Sequence, residues 1–149
     1  MEGDDTRPSR LKQMPTWLIA EVSGHAHRLV ADALASANSR GYDYRLLAAL
    51  QEFGAASQAA VGRRTRIDRS DVVEALNDLA RRGFIERSAD PTDRRCKIIS
   101  ITRLGIVHLH RLDRVLVGVQ DDLLAPLSRT ERQVLITVLT RLLMNQAAE

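Results

Sequence analysis

Nine residues in the middle of the chain could meet a nucleic acid: Ser57, Arg64, Thr65, Arg66, Arg69, Ser70, Glu74, Arg94 and Arg95. Guanidinium groups neutralise phosphate, and hydroxyl groups donate to phosphate oxygens. Glu74 differs, because phosphate repels a carboxylate. It could instead accept from the N4 amino group of a cytosine. Placement of charge supports the same chemistry. Residues Val61 to Arg103 hold ten Arg and one Lys against seven Asp and Glu, a net of +4, and the remainder of the chain sums to −1. A phosphate-facing surface concentrates cations in this way, although an ordinary solvated surface fits the charge count equally well.

The surrounding sequence says how these groups are held. Ser57 is an N-cap candidate for a short helix through about Arg63, and Asp68 for the next, with Asp71 three residues on. Val72, Val73, Leu76, Leu79 and Ala80 form one stripe of that second helix, and Gly83 is its expected stop. At about 100° per residue the stripe leaves Ser70, Asp71, Glu74, Asn77 and Arg81 on the outer face. Phe84 to Ser88 and Arg95 to Thr102 read as strands around a turn-forming segment, Ala89 to Arg94. The pattern is a brace helix, a reader helix and a β-hairpin whose tip carries Arg94 and Arg95. The tip arginines suit a minor groove, and Asp93 could orient one of them by a bidentate pair.

Long helices flank this unit. Residues 1–13 are polar and without period and read as a loose tail. Pro15 and Thr16 open a helix carrying Leu18, Ile19, Val22, Ala26, Leu29, Ala33 and Leu34. Asp43 is the N-cap expected for a helix reaching Phe53 and Gly54. Thr102 caps a further helix that Pro126 ends. Ser128 and Glu131 form a capping box for a last helix with a near-heptad stripe of Val134, Leu135, Val138, Leu139, Leu142 and Leu143. These stripes are wider than a small winged unit can cover, and a two-fold partner is the simplest cover, with a monomeric bundle that buries them internally as the alternative. The fold class is mainly α with a small β-wing (α+β). Residues 41–102 form the winged helix-turn-helix, and residues 14–40 and 103–149 form a helical dimerisation region.

The run from Ile67 to Gly105 resembles the MarR family of bacterial winged helix-turn-helix regulators. The likeness lies in Ile67-Asp68-Arg69-Ser70 at the reader start and in Leu79-Ala80-Arg81-Arg82-Gly83-Phe84-Ile85-Glu86-Arg87. It continues in Asp90-Pro91-Thr92-Asp93-Arg94-Arg95 and in Ile101-Thr102 with Gly105. The resemblance implies a homodimer on a palindromic double-stranded DNA operator, repressing and released by a small-molecule effector. It makes Arg95 the wing arginine with Arg94 beside it. The chain departs from the family at Val61-Gly62, where Leu-Ala is usual, and in the acidic outer face of its reader. A ligand cleft is expected where the first, second and fifth helices meet the winged unit, with Trp17, Val22, Tyr44, Leu47 and His108 as its lining. For each of these residues singly, plain core packing is the alternative.

Other classes fit less well. The lone Cys96 permits no intrachain disulfide and suits a reducing compartment. Arg94, Arg95 and Lys97 beside it could lower its pKa and make it a redox sensor. The pairs His25 and His27, and His108 and His110, each diverge by about 200° along a helix, so neither chelates a metal alone. No cofactor is expected. Aromatic residues are 3 % of the chain, too few for a single-strand stacking platform. No apolar run approaches bilayer length, which points to the cytoplasm. A phosphate-binding Gly-rich loop and a nucleophile elbow are both absent, so an enzyme is not expected. A winged-helix protein-interaction module is the rival reading, and it would not require the clustered arginines.

Overall fold

Pro15 suits the first position of a helix, because its φ is fixed there and no N–H is missed, and helix α2 runs Pro15–Ser36. The computed structural model describes residues 6–147. Ahead of α2, Ser9–Lys12 forms a single helical turn, α1, where the sequence suggests a loose tail. Residues 1–5 of that tail lie outside the described residues. Helix α3 follows (Gly41–Phe53), then strand β1 (Ala56–Ser57), α4 (Gln58–Thr65), α5 (Arg69–Arg81), β2 (Ile85–Ala89), β3 (Lys97–Ile101), α6 (Arg103–Leu123) and α7 (Arg129–Gln146).

Local chemistry sets most boundaries. Ser57 Oγ accepts from the Ala60 N–H at 3.3 Å, Thr102 Oγ1 from Gly105 at 3.0 Å, and Ser128 forms a reciprocal box with Glu131. Asp68 occupies its N-cap position without a side-chain cap bond. Asp43 is not the cap of α3. It sits three residues inside the helix, where its Oδ2 accepts from the N–H of the true N-cap, Arg40, at 2.8 Å. It thus supplies only the returning half of a capping box. Helix α4 runs two residues beyond Arg63, closed by Arg66 in the left-handed region at φ 53°.

The three strands lie in the order β1-β3-β2, all antiparallel. Strand β1 has only two residues and exists through its pairing with β3, Ala56 opposite Ile99 and Ser57 opposite Ile98. A contiguous core joins Leu46, Leu47 and Leu50 of α3 to Val61, Val72, Leu76, Leu79, Ile85 and Ile99, and reaches Leu109 of α6. Each such side chain contributes about 1.5–3 kcal/mol when fully buried. A smaller core of Leu34, Ala37 and Leu112 holds α2 to α6. Helix α7 buries no residue, and Val134, Val138, Leu139, Leu142 and Leu143 are exposed along it.

Two polar junctions tie the winged unit to α6. At the first, Thr102 donates its N–H to the Phe84 carbonyl at 3.0 Å and its hydroxyl to the Gly83 carbonyl at 2.6 Å. Gly105 then passes so close that a Cβ there would stand 2.1 Å from the Phe84 carbonyl oxygen. At the second, the buried Asp43 carboxylate accepts from the Ser39 hydroxyl at 3.2 Å and faces the Arg82 guanidinium at 3.9 Å. Arg82 also donates to the Asn38 carbonyl at 2.7 Å. His108 of α6 is buried beside them, its ring stacked on Phe84 at 4.2 Å and its Nε2 3.4 Å from Ser39 Oγ.

Both junctions make measurable demands. Gly105→Ala forces backbone to move and is expected to cost about 3 kcal/mol. Thermal unfolding should then fall by about 6–12 °C, and an unchanged Tm would show that no close approach exists. Burial, with Arg82 and Arg111 nearby, holds His108 below the ordinary imidazole value of 6.5, partly offset by Asp43. The unfolded chain therefore takes up this proton first as pH falls. Stability from the neutral ring is present above about pH 6.5 and is lost on further acidification. Melting curves from about pH 7 to about pH 5 should fall more steeply for the parent chain than for His108→Leu. Parallel curves would contradict the assignment.

Candidate nucleic-acid interface

Helix α5 turns Val72, Ala75, Leu76 and Leu79 into the core and leaves Ser70, Val73, Glu74, Asn77 and Arg81 exposed. Its N-terminus, opened by Arg69 and Ser70, stands beside α4 and β3. Between those three elements lies a cleft of about 760 Å³, whose lining includes Ser57, Arg63, Arg69, Arg95, Cys96 and Lys97. The fold thus brings together Ser57, Arg69 and Arg95, expected from sequence, with Arg63 and Lys97, which the sequence does not single out. Lys97 arrives through the β1–β3 pairing, which sets it one register step beyond Ile98, the partner of Ser57.

The hairpin tip is built by two aspartates. Asp90 accepts from the Thr92 N–H at 2.8 Å and from its hydroxyl at 2.7 Å, which holds the carboxyl below its usual range. Asp93 Oδ1 accepts from both the N–H and the Nε of Arg95, at 3.1 and 3.2 Å. The expected orientation of an arginine by Asp93 is present, but through one carboxylate oxygen rather than two. Arg94 and Arg95 are both exposed.

The remaining expected residues divide. Arg66 and Ser70 are exposed, on either side of the Asp68 N-cap of α5. Arg64 is exposed, but its guanidinium lies over the Phe53 ring at 5.1 Å, towards the end of α3. Thr65 is not a candidate contact. It is buried, and its hydroxyl donates to the Val61 and Gly62 carbonyls at 2.9 and 3.2 Å, because α4 extends to include it. Glu74 is exposed and ion-paired with Arg40 at 3.2 Å. The Asp71 carboxylate lies near enough to the Tyr42 hydroxyl to raise that phenol's pKa. The acidic positions of the reader are therefore engaged by the start of α3. On the other flank Arg87 of β2 donates to Asn77 Oδ1 at 2.8 Å.

The cationic neighbours of Cys96 do not lower its pKa as expected. Asp93 Oδ2 lies 3.7 Å from the exposed Sγ, and that charge pushes the thiol pKa up rather than down. The five residues expected to line a ligand cleft are not gathered into one. Leu47 is fully buried in the main core, and Val22 is 56 % exposed on α2. Trp17 is half-buried under Arg7, and His108 packs on Phe84. Tyr44 alone lines a cleft of about 460 Å³ between α2, α3 and α6, with His27, Val30, Tyr42, Arg45 and Leu116. Its hydroxyl donates to Asp113 at 2.7 Å, which pushes its pKa up to about 12 and keeps it protonated.

Comparison with known proteins agrees with this geometry. Residues 38–95, from the start of α3 through the wing tip, match the family model described as MarR family. The chain is 34 % identical over 99 residues to a protein of Thauera aromatica described as a transcriptional regulatory protein for the hcr operon. The match covers 66 % of this chain and 60 % of that protein. A transcriptional regulator structure from Pseudomonas aeruginosa is similar with a TM-score of 0.78 and 28 % identity, over 89 % of this chain and 99 % of that one. The PcaV transcriptional regulator of Streptomyces coelicolor, solved with its natural ligand, is similar with a TM-score of 0.76 and 26 % identity, over 96 % of this chain and 99 % of that one. Over residues 38–95, the segment that carries brace, reader and wing, the chain is similar to the MarR family.

Proposed function

We propose that the chain is a sequence-specific regulator that binds double-stranded DNA as a homodimer on a palindromic operator and represses there. The observation that carries this reading is the cationic cleft between reader and wing, where Arg63, Arg69, Arg95 and Lys97 meet the N-terminus of α5. Phosphate is favoured at that place by charge and by the free amides of a helix start. Residues 41–102 act as the reading head, with Ser57, Arg66, Arg69, Ser70, Arg94 and Arg95 on the duplex. Residues 14–40 and 103–149 pair the protomers. The exposed apolar side chains of α7, with Leu18, Ile19 and Val22 of α2, support this pairing, since a second copy supplies the matching stripes.

The cleft around Tyr44 is the proposed effector site. Its volume of about 460 Å³ lies within the range usual for small-molecule pockets. It touches both the pairing helices and the reading head, so an occupant there can alter their relative setting. The similar PcaV regulator was solved with a ligand of its own. Among the described residues no helix is long and apolar enough to cross a membrane.

Titration of a duplex selected from random sequence should show steep salt dependence. Arg94→Ala combined with Arg95→Ala should weaken binding at least about tenfold and lower the salt slope by about one for each phosphate that the wing no longer neutralises. Unchanged affinity and slope would remove the wing from the interface. In sedimentation the parent chain should run at twice its 16.6 kDa mass. Leu139→Glu with Leu142→Glu on α7 should return it to a single protomer and weaken operator binding with it. A parent chain of one-protomer mass contradicts the pairing.

A further inference from the structure

Resting on the DNA-binding reading, we propose that Val73 is a specificity-determining residue, reading the 5-methyl group of a thymine in the major groove. Val73 is an apolar residue 38 % exposed near the middle of the reader helix. At about 100° per residue it stands about 40° from both Arg69 and Asn77 and about 60° from Ser70. Arg69, Val73 and Asn77 lie one turn apart along one strip, with Ser70 at its edge. Asp71 lies about 160° away from Val73.

The partners of the charged groups separate the two flanks. Asp71 is engaged by Tyr42 and Glu74 by Arg40, both at the start of α3. Asp78 is held by Arg81 and Arg82 near the end of the reader. The carboxylates that would select cytosine amino groups are thus occupied from the α3 side. The strip facing the wing carries Arg69, which lines the cationic cleft, and Asn77, whose Oδ1 is taken by Arg87. Val73 sits between these two, and no other residue of α5 is both large and apolar and exposed. In a groove lined by phosphate, the one apolar feature on a base edge is the thymine methyl. Contact between that methyl and the Val73 methyls removes both from water.

The test uses the full chain and a duplex selected by it from a random-sequence pool. Each thymine is replaced in turn by deoxyuridine, which deletes the methyl and leaves base pairing and charge unchanged. At one thymine or a neighbouring pair in each half-site, affinity should fall about fourfold, the value of one buried methyl-sized group. Val73→Ala should weaken the unmodified duplex by a similar factor and abolish the deoxyuridine effect at that position alone. Alanine is favoured at an exposed helical site, so the variant folds. Indifference to deoxyuridine at every position overturns the inference, as does a deoxyuridine effect that Val73→Ala leaves intact. In either case the selected complex still stands and DNA binding survives. Failure to select any duplex instead overturns the DNA-binding reading, and this inference with it.

Discussion

The close pass of Gly105 over the Phe84 carbonyl is the constraint on which the arrangement of the molecule depends. A chain with any side chain at Gly105 would push the start of α6 off Phe84, the residue just ahead of β2. With only hydrogen there, Thr102 can cap α6 and at the same time bond the Gly83 and Phe84 carbonyls. The end of the reader, the root of the wing and the first turn of a long helix become one rigid piece. Gly83, at φ 79°, turns the chain sharply enough to bring them together. Whatever fixes the position of α6 in an assembly therefore also fixes reader and wing.

Asp43, Arg82 and His108 form a second seam alongside it. It joins the corner between α2 and α3 to the end of α5 and to the side of α6. A buried carboxylate, a guanidinium and an uncharged imidazole carry more geometric information than apolar contacts, because each must find its partner when the surface around it is withdrawn from water. The cleft around Tyr44 lies on the other side of the same corner, and Arg40 borders both regions. Motion at that corner would reach the reader through Arg40 with Glu74 and through Asn38 with Arg82.

The features legible in the sequence are those fixed within one turn of chain. Ser57, Thr102 and Ser128 announce their helices because a cap needs only its own next three residues. The reader stripe, except for Val73, which the structure turns outward, the Gly83 stop and the hairpin turn are local in the same sense. What depends on space is not legible. Strand β1 is two residues long and has no signal until β3 lies beside it. Asp43 looks like a cap because acidic residues usually are, yet Arg40 takes that position and Asp43 serves from inside. Thr65 reads as free from a helix ending at Arg63, whereas α4 extends further and its own carbonyls absorb the hydroxyl. The acidic reader face looks hostile to phosphate until Arg40 and Tyr42 are placed against it. The ligand lining fails for the same reason: Tyr44 and Leu47 are one turn apart in pattern but face a cleft and the core, and Val22 lies exposed on another helix.

In the proposed function two copies of one cation-edged head are set at a fixed separation on duplex DNA. Hydroxyl-radical footprinting of a selected duplex tests this most directly. Two equivalent protected windows related by a two-fold axis, their centres about 10 bp apart or a multiple of that, are the predicted result. A single unpaired window, or cleavage unchanged by saturating protein, would contradict it.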